Sequence, residues 1–120
     1  MVFASQLLTG IVAALHVYFL VLEMFLWTKP LGLKVFRNTP EKAQASEVLA
    51  ANQGLYNGFL AAGLVWSLVG SDLTTLPIRT FFLGCVVVAG VYGGLTASKK
   101  ILFVQAIPAA LALAATLAVR

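Results

Sequence analysis

Charge is scarce in this 120-residue chain: four acidic and eight basic residues make up 10% of it, against 61% hydrophobic. A soluble domain carries about a quarter charged and about half apolar residues, and one this small could not hide so much apolar surface from water. Lipid is therefore the expected solvent. The one cysteine, Cys85, excludes an internal disulfide and any CxxC or Cys/His metal spacing, and reads as a small buried hydrophobe. The one histidine, His16, excludes a bis-histidine haem or a histidine-rich metal site. The N-terminus lacks the basic start of a signal peptide, and its first apolar run is too long for one, so the run is expected to be retained as a helix. No phosphate loop, nucleotide fingerprint, nucleophile elbow or paired-carboxylate metal motif occurs. The net charge of +4 comes without a basic stripe interleaved with aromatics, so nucleic acid is not an expected partner.

What is present is a set of long apolar runs. About 20 mainly apolar residues cross the hydrocarbon core as a helix. Four such runs are predicted, at residues 6–27, 51–69, 76–95 and 101–119, giving an all-α, transmembrane four-helix up-and-down bundle in one domain, 1–120. The first run ends at Lys29 and Pro30. Ahead of the second, Thr39, Pro40 and Glu41 form a helix-start signal, so this helix is expected to begin in water near Thr39 and enter the membrane near Val48. Pro77 falls in the first turn of the third, where a missing N–H costs little. Pro108 lies inside the fourth and predicts a kink.

The connections set an orientation. Loop one holds Lys29, Lys34, Arg37 and Lys42, and loop three holds Lys99 and Lys100. Loop two, 70–75, has only Asp72, with Arg79 just inside the third helix, and Arg120 closes the chain on that same side. The positive-inside bias places both termini outside and both basic loops in the cytoplasm of a cell that carries the protein in its plasma (inner) membrane. In loop one, Leu31, Leu33, Val35 and Phe36 alternate with Lys34 and Arg37, which suits either a segment lying among lipid headgroups or an ordinary solvated loop. Gly54, Gly58 and Ala62 on the second helix, and Gly90 and Gly94 on the third, recur every four residues and mark close helix contacts, with another helix of this chain or with another copy in a homo-oligomer.

Two ionisable residues interrupt the first span. A charged carboxylate at a helix centre costs at least roughly 2.5 kcal/mol, so such groups face the bundle interior. His16 and Glu23 are seven residues apart and share a face, with Trp27 four further on; Glu23 lies about 10 Å closer to the cytoplasm than His16. The second helix answers with Asn52, Gln53, Tyr56 and Asn57, as two i,i+4 pairs. Tyr92 and Gln105 fall in the same half of the membrane, and the outer half offers little comparable. Glu23 has no basic partner in its own span. Either it keeps its proton, because desolvation penalises the charged form, or Asn52, Asn57 and Tyr56 solvate its charge. His16 has three readings: a hydrogen-bonded core histidine, a proton-shuttling or substrate-polarising group, or a haem or metal ligand. Amide and phenol groups also glue bundles together, at about 0.6 kcal/mol per bond, but glue does not call for a carboxylate.

These residues carry a resemblance. The run Glu23-Met24-Phe25-Leu26-Trp27, then Phe36, then Asn52-Gln53-Gly54-Leu55-Tyr56-Asn57-Gly58-Phe59-Leu60-Ala61-Ala62-Gly63 resembles the DUF1304 family of small membrane proteins, over nearly the whole chain. His16, Glu23, Trp27, Asn52, Gln53, Tyr56 and Asn57 all stand as in the family pattern. The resemblance implies an integral membrane protein of about this size and no particular activity or cofactor.

Three functions fit these residues. In the first, an intramembrane polar pocket on the cytoplasmic half binds or converts a small lipophilic molecule. Glu23, His16 and Tyr56 are its catalytic candidates, Glu23 as general acid or base, and Trp27, Asn52, Gln53, Asn57, Tyr92 and Gln105 its ligand-binding candidates. In the second, Glu23 serves a proton-coupled transporter or channel. In the third, the chain is a packing or scaffold subunit whose basic loops touch anionic lipid or a partner protein.

Overall fold

The computed structural model describes residues 2–119, and of Asp72 the backbone alone. Arg120, placed above on the outer side, lies outside the described residues. Every regular element is helical: α1 Val2–Met24, α2 Pro30–Phe36, α3 Pro40–Ala45, α4 Glu47–Trp66, α5 Asp72–Thr96, α6 Lys99–Ile101, a π-helical turn Leu102–Ala106, and α7 Ile107–Ala118. The all-α expectation holds. Three helical stretches are long and apolar enough to cross a membrane, Val2–Met24, Leu73–Thr96 and Lys99–Ala118, and they suggest membrane integration. α4 has the length, 20 residues, but its first half carries Asn52, Gln53, Tyr56 and Asn57, which dilute its apolarity.

Boundaries differ from the sequence reading in physically traceable ways. α1 starts four residues earlier and stops at Met24. Loop one is largely helical and folded back. Gly32 is buried against the carbonyl of Leu26, where any Cβ would collide with backbone. α2 closes at Arg37, whose left-handed φ of 51° lets its N–H reach Leu33 and Lys34 carbonyls. Thr39 is the N-cap expected, its hydroxyl accepting from the Lys42 N–H at 3.2 Å. The helix it starts is not continuous with α4, however. The Ser46 hydroxyl donates to the Lys42 carbonyl at 2.7 Å, offering the backbone an alternative partner, and α3 ends there. In the fourth stretch Pro108 has no N–H to give. The turn before it widens, with the Ile107 N–H reaching back five residues to Leu102, so the expected kink takes the form of a π-turn.

The chain forms two compact units. Among the described residues one comprises 2–14 and 60–119, the other 15–59; α1 and α4 contribute to both. In the larger unit, four helical segments share a core of Val12, Ala13, Leu64, Leu83, Val86, Ala109 and Ala112. Its small residues let backbones close in: a Cβ on Gly90 would sit 2.6 Å from the Ala106 nitrogen, and one on Gly94 2.8 Å from Leu102 Cβ. In the smaller unit, a Cβ on Gly54 would meet Met24 Cγ at 2.6 Å and Glu23 Cβ at 3.1 Å, and one on Gly58 would meet Leu20 Cδ1 at 2.7 Å. Both glycine stripes therefore pack within the chain, where dispersion rather than water exclusion holds helices together in lipid.

Candidate functional site

The antiparallel contact of α1 and α4 in the smaller unit builds the site. Gly54, Asn57 and Gly58 lie within four residues on one face of α4, and that face meets Leu20, Glu23 and Met24. With no side chains at 54 and 58 to hold the helices apart, Asn57 Nδ2 donates to Glu23 Oε1 at 2.5 Å. Glu23 is 6% exposed and Asn57 8%. Among the described residues, this amide is the side chain that hydrogen-bonds the carboxyl, leaving Oε2 without such a bond. A carboxyl in this setting can hold or release a proton, or accept a bond from a polar group of a bound molecule, at Oε2.

His16 is fully buried, two turns from Glu23 on the same helix, its ring edge-on to Phe19 with centroids 5.4 Å apart. Trp27 is half-buried. Its indole Nε1 donates to Ser46 Oγ at 3.1 Å and its ring tilts against Phe36 at 4.8 Å, so it ties the end of α1 to α2 and to the α3–α4 junction.

The other candidates do not converge on Glu23. Tyr56 is 57% exposed, its ring edge-on to Phe59, and Asn52 and Gln53 are exposed. One residue of helix is about 100° of rotation, so Tyr56 turns off the face that Asn57 occupies. The Gly54–Gly58 stripe was the sequence signal that singles out Asn57. Tyr92, 70% exposed, and Gln105, half-buried on the π-turn, belong to the larger unit. Cys85 is half-buried instead of buried, because its face of α5, with Phe81, Val88 and Tyr92, lines a shallow apolar groove.

Polarity also proves not to be confined to the Glu23 end of α1. Toward the end of α1 opposite Glu23, Arg79 is 2% exposed. Its Nη1 donates to Ser5 Oγ at 2.8 Å and its Nη2 to the Ser67 carbonyl at 2.7 Å. Ser5 and Thr116 hydroxyls are 2.7 Å apart. Since Thr116 already donates to the Ala112 carbonyl at 2.8 Å, Ser5 is the donor to Thr116. A relay of four bonds thus links α1, the end of α4, α5 and α7, and Arg79 satisfies a carbonyl that the α4 terminus would otherwise orphan. From sequence alone Arg79 read as a loop-edge cation, and Ser5, Ser67 and Thr116 carried no signal.

Fold and site together define an all-α protein with three membrane-competent helices and a buried carboxyl held by an amide. The chain belongs to the DUF1304 family, a protein family of unknown function whose pattern matches residues 10–117. It is 33% identical over 115 residues to the uncharacterized protein YpaA of Lactococcus lactis subsp. lactis (strain IL1403), covering 94% of this chain and 96% of that protein. No solved structure matches it.

Proposed function

We propose that the protein is a four-helix, up-and-down transmembrane protein whose Glu23–Asn57 pair is a membrane-embedded site for the polar group of a small lipophilic molecule, with Glu23 as acid or base. In this reading α4 is the fourth span, both termini face outward, and the basic loops face the cytoplasm. The observation that carries it is a carboxyl buried near the end of an apolar helix, with an amide on one oxygen and, among the described residues, no side-chain bond on the other. Cohesion does not need such a group, and keeping it in a bilayer is costly. Asn57 orients the carboxyl, Oε2 meets the ligand, and the buried His16 stands two turns deeper on the same helix. Trp27 walls the headgroup side of the site. Tyr56, Asn52 and Gln53, on the exposed flank of α4, stand at the entrance and not at the carboxyl.

The test is extraction of lipophilic molecules from the protein purified in mild detergent, compared by mass spectrometry with Glu23→Leu purified identically. A quinone, terpenoid or lipid enriched with the wild type and lost from the variant supports the site. Identical extracts from two folded proteins contradict it.

A second reading, proton-coupled transport, draws support from a different observation. α1 buries Ser5, Thr9, His16 and Glu23 at spacings that keep them on one face, so polar groups mark the helix along its length. Proton flux in proteoliposomes that Glu23→Gln abolishes would favour it over simple binding.

A further inference from the structure

Residues 24–40 contain Lys29, Lys34 and Arg37 and no acidic residue, and all three cations are exposed. Beside them Phe25, Leu31 and Phe36 are exposed large hydrophobics. A loop meant for water would not present that combination. The segment is also held in place. Gly32 sits against the Leu26 carbonyl, Trp27 packs on Phe36, and the indole bond to Ser46 closes the far side. α2 is thereby fixed at the end of α1, itself one of the membrane-competent helices. Its exposed cations are therefore carried just beyond the end of that helix.

We propose that α2 and its flanks form a docking surface for the phosphodiester headgroups of anionic phospholipids. The exposed phenyl and leucine side chains enter the acyl boundary. The lysine stems lie along it, and the ammonium and guanidinium groups meet the headgroup phosphates. Arg37, at the left-handed close of α2, presents a fork suited to two phosphate oxygens. This surface is independent of Glu23, so either proposal can fail without the other.

Trp27 is a native probe of the surface, and Trp66→Phe leaves it as the single tryptophan. The full chain is reconstituted in equimolar phosphatidylcholine and phosphatidylglycerol, with one lipid or the other carrying brominated acyl chains that quench tryptophan. Quenching by brominated phosphatidylglycerol is expected to exceed that by brominated phosphatidylcholine. Lys34→Gln with Arg37→Gln should lower this preference about fivefold per cation, the equivalent of about 1 kcal/mol each beside an anionic surface. Lys34→Arg, which keeps the charge and leaves Arg37 in place, should keep it. Raising the sodium chloride concentration should weaken it even in the parent protein, which tests the idea should the neutral variant fail to fold. Equal quenching by both lipids in the parent, or an unchanged preference in a folded neutral variant, overturns the proposal. So does loss of preference to inorganic phosphate but not to chloride at matched ionic strength, which would assign the surface to free phosphate.

Discussion

At the scale of single residues, two buried polar groups behave differently because their partners do. Glu23 depends on one side chain, Asn57. Asn57→Leu strips that bond from a carboxyl that stays buried, and should cost about 1–3 kcal/mol in a reversible detergent-unfolding assay. Replacing both, Glu23→Leu with Asn57→Leu, should recover most of the loss, since two apolar groups need no partner. Additive losses in that cycle would show that the two side chains are not coupled. Arg79 instead bridges Ser5 and the Ser67 carbonyl through separate nitrogens. A lysine ammonium is a single point and cannot span both, so Arg79→Lys should destabilise the protein by about 1–3 kcal/mol although the charge is kept. A stability equal to wild type would remove the bridge from this account.

Among the elements, glycine separates contact from exposure. Gly54→Val should force α1 and α4 apart, because a Cβ there already lies 3.3 Å from the Leu20 carbonyl and closer still to Glu23 and Met24. The variant should lose the coupling measured between positions 23 and 57. Gly84 has open space around the same point, and Gly84→Ala should be neutral or stabilise by about 0.5–1 kcal/mol through helix propensity. Thermal unfolding of the two variants side by side checks the contrast. Much of this level was legible in the chain. Apolar run length is a local property, and it located three membrane-competent helices; the Thr39 cap is local chemistry too. The break at Ser46 was not legible, because a serine mid-helix is nearly neutral until its hydroxyl captures a carbonyl. Nor was the Arg79 relay, since Ser5 is 74 residues away in sequence and its relevance exists only after α1 and α5 have packed. Tyr56 looked equivalent to Asn57 because both are polar and adjacent; which of them faces α1 is set by the glycines at 54 and 58.

For the whole molecule, six of eight basic residues fall in loops one and three, and Arg79, counted as a cation on the other side, is buried in hydrogen bonds. That sharpens the asymmetry behind the proposed orientation. In a Cys85→Ala background, Lys34→Cys should react with a membrane-impermeant maleimide in inside-out vesicles and stay unlabelled in right-side-out ones; the reverse would invert the topology. The amide of Asn57 holds the carboxyl of Glu23, and in the proposed membrane setting the bond persists in lipid. Solid-state NMR on bilayer-reconstituted protein, with ¹³C at the Glu23 carboxyl and ¹⁵N at the Asn57 side-chain amide, measures it directly. A dipolar coupling corresponding to about 3.5 Å between carbon and nitrogen, as an N–H···O bond requires, is the expected result. Absence of that coupling in a folded sample would contradict the account.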